Sequence, residues 1–179
     1  RDDAGNVIER TYNNNLLVSE TSYTGVDPDG AGPQGPTGAQ TSHFIYNNNR
    51  NLIFSVSAQG RVTQYQYNTL GQQVAEIDYS LSIYNEPTPT EASLLAWVSQ
   101  QDLTQTLRSD YGYDFRGQLE TRTTYTAIDA AGEGVLNGQQ ATTRYVYDVH
   151  GRLLQTVTPK GEATATAGDP VSYTHLTLP

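Results

Sequence analysis

One phrase recurs along this chain and limits its fold more than any other feature. Tyr147-Asp148-Val149-His150-Gly151-Arg152-Leu153, Tyr113-Asp114-Phe115-Arg116-Gly117-Gln118-Leu119 and Tyr67-Asn68-Thr69-Leu70-Gly71-Gln72-Gln73 share a pattern: Tyr, Asp or Asn, two free positions, Gly, a polar residue and often Leu. Arg1-Asp2-Asp3-Ala4-Gly5-Asn6-Val7 fits except that Arg1 stands in the Tyr place. Two copies are degenerate. Tyr12-Asn13-Asn14-Asn15-Leu16 is one residue short, and Arg50 takes the Gly place after Tyr46-Asn47-Asn48-Asn49. Repetition at this spacing signals an array of like units.

Each unit reads as a β-hairpin. Asp or Asn at the first turn position can accept hydrogen bonds from its own backbone. Gly three residues on supplies the positive φ that closes a type I turn with a bulge. Asn, in the degenerate copies, tolerates that region better than other side chains. Tyrosines precede the turns in pairs (Tyr65 and Tyr67, Tyr111 and Tyr113, Tyr145 and Tyr147), a spacing that puts both rings on one strand face. Leu119 to Tyr125 alternates apolar and polar, the strand period. Further turns, Ser57-Ala58-Gln59-Gly60 and Thr158-Pro159-Lys160-Gly161, lie between the Tyr turns. The fold expected is all-β, an antiparallel β-hairpin repeat array, with strands of about seven residues and roughly 23 Å.

A longer period overlies the short one. Tyr12 to Tyr46 and Tyr113 to Tyr147 are the same step, and Val56-Ser57-Ala58-Gln59-Gly60 returns as Val157-Thr158-Pro159-Lys160-Gly161. Residues 1–85 and 109–161 are therefore read as hairpin repeats. Two insertions interrupt them. Residues 26–41 are rich in Gly and Pro and read as a loop; Gly32, Gly35 and Gly38 make too few triplets for a collagen helix. Residues 86–108 read as a helical insertion, with Thr88 as N-cap, Pro89 at the first position and Glu91 at the third. Leu94, Leu95 and Val98 would face the sheet, with Trp97 on the flank. Residues 162–179 lack a proper turn and read as an irregular tail. Within it Ser172 to Pro179 resembles translated adaptor sequence, the alternative being an ordinary frayed terminus.

Composition agrees. Tyr (13 copies) far outnumbers Phe (3) and Trp (1), which favours pleated, half-buried surfaces. Nine Arg and one Lys against 19 acids give a net charge of −9, opposed to a phosphate backbone and to anionic lipid. With no Cys, disulfides and thiolate metal sites are excluded. No apolar run approaches a membrane span. The chain starts at Arg1 and contains no Met, so an internal fragment of a longer protein is expected.

No catalytic, cofactor-binding or metal-binding residue is assigned, and no cofactor is expected. Gly30-Ala31-Gly32-Pro33-Gln34-Gly35 matches a dinucleotide fingerprint in letters, but Pro33 and Pro36 block the helix that the phosphate site needs. Asp27-Pro28-Asp29-Gly30 has too few oxygen ligands for an EF-hand loop, and the equivalent Asp129-Ala130-Ala131-Gly132 has one fewer, so turn chemistry is the reading. His43, His150 and His175 share no metal spacing. The tyrosine pairs could stack on sugars, but a packing ladder with solvated hydroxyls accounts for them more simply.

The Tyr-Asp-x-x-Gly-Arg-Leu unit resembles the YD repeat, also called the RHS repeat, over about residues 1–161 outside the insertions; Tyr147 to Leu153 matches best, then Tyr113 to Leu119 and Tyr67 to Gly71. The family includes bacterial polymorphic toxin shells, insecticidal toxin complex subunits, wall-associated proteins and teneurins. The resemblance implies a secreted or bacterial cell-surface protein whose sheet winds into a shell enclosing or displaying a C-terminal effector domain. The partners expected are the rest of the parent chain, including an encapsulated toxin domain, with no nucleic acid and no membrane span. The alternative is an adhesive module that binds carbohydrate or a cell-surface partner. Neither reading is enzymatic. Open sheet edges would leave an isolated segment prone to aggregate.

Overall fold

The turn chemistry sets the strands. In the computed structural model, which describes residues 6–29, 32 and 34–159, ten antiparallel strands follow one another in sheet order. They are β1 (Ile8–Asn13), β2 (Leu16–Gly25), β3 (Thr37–Tyr46), β4 (Leu52–Val56), β5 (Val62–Tyr67), β6 (Gln73–Asp78), β7 (Leu107–Tyr113), β8 (Leu119–Thr124), β9 (Ala141–Tyr147) and β10 (Leu153–Val157). A meander of hairpins is what alternating turns and seven-residue strands dictate. The chain divides into two compact units, Arg1–Tyr65 with Asp78–Gln101, and Gln66–Ile77 with Asp102–Pro179.

In the first unit the turn after Asn47 has the expected form, with Arg50 held at φ 66 in the Gly place. The copy one residue short solves closure differently. Asn13 pairs directly with Leu16, and Asn14 and Asn15 both take positive φ (48 and 62), the two-residue turn whose twist suits a hairpin. The Gly/Pro loop is shorter than the 26–41 expected. Residues 37–41 are already strand, because Thr37, Ala39, Gln40 and Thr41 pair with Gly25, Tyr23, Ser22 and Thr21, and the Thr21 and Thr41 hydroxyls meet at 2.8 Å.

The insertion holds a helix, α1 (Glu91–Val98), that starts later than expected. Thr90, not Thr88, is the N-cap: its hydroxyl accepts from the Ser93 N–H at 3.1 Å while Ser93 Oγ accepts from the Thr90 N–H at 3.0 Å. Ser93 thus takes the role expected of Glu91, and Pro89 precedes the cap. The buried face is also rotated. Leu94 is fully buried and Trp97 packs edge-on against Tyr79 (5.5 Å) and Tyr84 (5.9 Å), whereas Leu95 is exposed. With Phe54, Val56 and Val62 these residues form the core of the first unit. Each fully buried large side chain contributes roughly 1.5–3 kcal/mol. Gly60 has no substitute here. At φ 77 it lets Tyr84 N–H reach its carbonyl at 2.9 Å, and a Cβ would lie 2.4 Å from the Tyr84 oxygen.

In the second unit Ala75, Ile77 and Ile128 are buried. A 3-10 turn at Leu103–Gln105 leads into β7, which begins at Leu107, inside the stretch expected as insertion. Arg108, almost buried, ties the segment after β8 to β7 by ion pairs to Asp110 (2.7 Å) and Glu133 (2.8 Å) and a hydrogen bond to the Gly132 carbonyl. Asp129 to Glu133 repeats the five-residue turn, with Gly132 at φ 83. Lys160, Gly161, His175 and the tail at 162–179 lie outside the described residues.

Candidate functional site

The most repetitive chemistry lies in the second unit, where the turns after Tyr67, Tyr113 and Tyr147 fall side by side. Each is built alike. The Asn68, Asp114 and Asp148 N–H groups donate to the carbonyls of Gln72, Gln118 and Arg152, all at 2.9 Å. Gly71, Gly117 and Gly151 sit at φ 78, 80 and 82. The Oδ1 of Asn68 accepts from Leu70 and Gln72 N–H, that of Asp114 from Arg116 and Gln118, and that of Asp148 from His150 and Arg152, at 2.8–3.0 Å. Those backbone donors, Gln118 first for Asp114 and Arg152 first for Asp148, hold both carboxyls below the usual aspartate range.

Consecutive turns are then stitched together by side chains. The Tyr113 hydroxyl donates to the Gln73 carbonyl (2.8 Å), and the Tyr147 hydroxyl donates to the Leu119 carbonyl (2.9 Å). Gln73 and Leu119 occupy the same place, just after the preceding turn. Gln72 Nε2 donates to the Gly117 carbonyl (3.3 Å) and Gln118 Nε2 to the Gly151 carbonyl (3.0 Å), again equivalent places. Arg116 Nη1 adds a bond to the Asp148 carbonyl (3.1 Å). The reason is geometric. Pairing of β8 with β9 ends at Thr121 and Arg144, so Leu119 lies beyond the ladder and the long tyrosine side chain reaches its carbonyl instead. Here the expectation of solvated hydroxyls is corrected: those of Tyr113 and Tyr147 are spent on the neighbouring strand. Tyr111, two residues back, donates to Glu76 at 2.9 Å, and burial followed by that carboxylate pushes it up to about 12. Spacing alone announced a shared face; the inter-turn bonds had no sequence signal beyond the recurrence of Tyr and Gln at fixed offsets.

The other candidate residues do not converge. Asp27 Oδ1 accepts from Asp29 N–H and Asp29 Oδ2 from Gln34 N–H, both at 3.3 Å. Gly30, Ala31 and Pro33 are outside the described residues, and the stretch from Gln34 runs into strand β3, not a helix. His43 lies half-buried on β3, where burial lowers its pKa; His150 is exposed at a turn tip. Among the described residues no group of three or more His, Cys, Asp or Glu could hold a metal ion, and no helix is long and apolar enough to cross a membrane. In the first unit an open groove of about 580 Å³ is rimmed by Asn13, Asn14, Asn47, Asn48 and Arg50 over Leu16 and Ile45.

No protein-family profile matches this chain, and no curated protein matches it. Among solved structures it is similar to TcdB2-TccC3-TEV (TM-score 0.48, 18% identity, covering 90% of this chain and 7% of that one). It is also similar to TcdB2-TccC3 without its hypervariable C-terminal region (TM-score 0.43, 16% identity, covering 92% and 8%). The chain spans less than a tenth of the length of these structures.

Proposed function

We propose that this chain is a structural segment of a larger secreted or cell-surface YD-repeat protein, and that its sheet forms part of a shell enclosing or displaying a C-terminal effector domain. It performs no catalysis in this reading; its partners are further hairpins of the same parent chain. The observation that carries the reading is the equivalence of the bonds from Tyr113 to Gln73 and from Tyr147 to Leu119. A bond repeated at the same offset in successive hairpins is a rule for extension, as in other repeat architectures whose units contact only their neighbours. The net charge of −9 supports the exclusion of nucleic acid. Sequencing the DNA that flanks the reading frame tests it. Many more tyrosine-led turns followed by an unrelated domain support the shell; a frame with no further hairpins on either side overturns it.

A second reading, an adhesive module for uncharged glycan, is supported by the amide-rimmed groove. Amides supply both donors and acceptors, and its volume is within the range of small-ligand sites. Glycan-array binding lost on Asn48→Ala supports it; absence of any binding removes it.

A further inference from the structure

We propose that Asn137 is a site of self-modification. Its side-chain amide is lost through a cyclic imide formed with the backbone nitrogen of Gly138, leaving aspartate or isoaspartate on the connection between β8 and β9. This chemistry needs only that connection and is independent of the repeat-array reading.

The sequence selects the position. Of the chain's asparagines, Asn137 is the one followed by glycine. The following residue's nitrogen must lose its proton and bend back onto the side-chain carbon, and a side chain on that residue stands in the way. Gly138 has none, and a Cβ built there would meet nothing within 4 Å. Both residues are exposed, so water and hydroxide reach them.

The local fold leaves that nitrogen outside the sheet. Pairing within the connection reaches Val135, whose N–H donates to the Ala127 carbonyl at 3.0 Å, and β9 begins at Ala141. Between them Asn137 Oδ1 accepts from the Gln139 N–H at 3.0 Å, a turn that asparagine favours. Negative charge collects on that oxygen as the nitrogen adds to Cγ, so a donor is already in place where the charge develops. Asn47 and Asn68 also accept from backbone N–H groups, but Asn48 and Thr69 follow them and shield the nitrogen.

The step balances without an oxidant or a metal. Gly138 N gives its proton to solvent base and bonds to Asn137 Cγ. The bond from Cγ to Nδ2 breaks, solvent protonates the departing nitrogen, and ammonia leaves. Water then opens the ring. Attack at Cγ restores the backbone with aspartate; attack at the Asn137 main-chain carbonyl leaves isoaspartate, with the chain running through the former side chain.

Gln140 sets the pace. The Gly138 N–H donates to its side-chain oxygen at 2.9 Å. That bond favours the protonated nitrogen and so slows the attack. The product adds a negative charge to a chain already at −9. The Ile128–Gly134 bridge and the Val135 bond do not use the Asn137 side chain, so the surface changes with time while the sheet stays intact.

The test ages the full chain at body temperature, from mildly acidic to mildly alkaline pH. Its peptides are then mapped by mass spectrometry, and isoaspartate is labelled with an isoaspartate-specific methyltransferase. Expected is the amide-to-acid mass gain on the peptide carrying Asn137, ahead of those carrying Asn47, Asn48 and Asn68, at a rate that rises with pH. Asp29 also precedes a glycine, but isomerisation there changes no mass. Gly138→Ala should slow the gain severalfold. Gln140→Ala should quicken it about three- to tenfold, the worth of one hydrogen bond. No gain at Asn137, a gain no faster than at the other asparagines, a rate indifferent to pH, or a Gln140→Ala chain that reacts no faster than the unaltered one would each overturn the proposal.

Discussion

The Tyr147 hydroxyl donates to the Leu119 carbonyl at 2.9 Å, across strands whose ladder has already ended at Thr121 and Arg144. Removing it leaves a half-buried carbonyl without that donor. Tyr147→Phe should therefore lower stability by about 1 kcal/mol, and the loss should be local. Hydrogen exchange at β9 and β10 should speed up while exchange at Leu94 and Val62 stays unchanged; a uniform change across both units would contradict the assignment.

The turns predict opposite signs for glycine gained and glycine lost. Gly151 sits at φ 82 against Gln118, so Gly151→Ala should cost about 1–2 kcal/mol. Arg50 holds φ 66 with a side chain. Its bond to the Asn14 carbonyl is exposed, so Arg50→Gly should be neutral or stabilising by up to about 1 kcal/mol. Denaturant midpoints of the two variants should move in opposite directions.

Acid stability follows from Asp114 and Asp148. Their folded-state pKa values lie below the ordinary 3.8. Their contribution is fully present above that value and is lost as pH falls through the depressed one. The double variant Asp114→Asn, Asp148→Asn keeps the Oδ1 acceptor, as Asn68 does naturally. Its stability should fall less steeply than that of the parent chain from about pH 4 to about pH 2, measured by denaturant titration at each pH.

Tyr111 gives the alkaline counterpart. Its pKa is raised from 10.0 to about 12, so the stability it contributes is complete below about pH 10 and disappears as pH climbs to about 12. Absorbance titration should show a group of late-ionising tyrosines, Tyr111 with the likewise raised Tyr113, Tyr125 and Tyr147, whose amplitude at about pH 12 Tyr111→Phe diminishes.

Leu94 anchors the first unit. Leu94→Ala should cost about 2–5 kcal/mol, whereas Leu95→Ala, one residue on but half-exposed, should cost less than about 1 kcal/mol. Thermal melts of the two variants separate the observed face of α1 from the face its sequence suggested.

The strands and turns were legible because both rest on local rules. Asp, two free residues and Gly dictate one backbone path, and Tyr spaced by two dictates a shared face. The helix was misplaced by two residues because Thr88 and Thr90 are both competent caps. The choice fell to Ser93, whose short side chain closes the box on Thr90, and to the Tyr79 and Tyr84 rings that hold Trp97. The loop at 26–41 was overdrawn because glycine content hid the cross-strand partners that residues 37–41 find in β2. The bonds from Tyr147 to Leu119 and from Gln118 to Gly151 were invisible because each joins residues far apart in the chain, through a meander whose spatial order local patterns do not state.

In a meander, successive connections emerge on opposite sides of the sheet. In each unit the tight tyrosine-led or asparagine turns lie at one end of the strands, and the connections that leave β2 after Gly25 and β8 after Thr124 lie at the other. The first border is built of short turns throughout, whereas the second mixes the tight turn at Ser57–Arg61 with longer stretches. A residue inserted between Tyr113 and Leu119 would unseat both neighbouring turns, whereas one inserted beside the exposed Leu136 lengthens a strap that no later hairpin measures itself against. Such a chain can diversify along one border while the other keeps count of its hairpins, and foreign peptides are best grafted at Leu136.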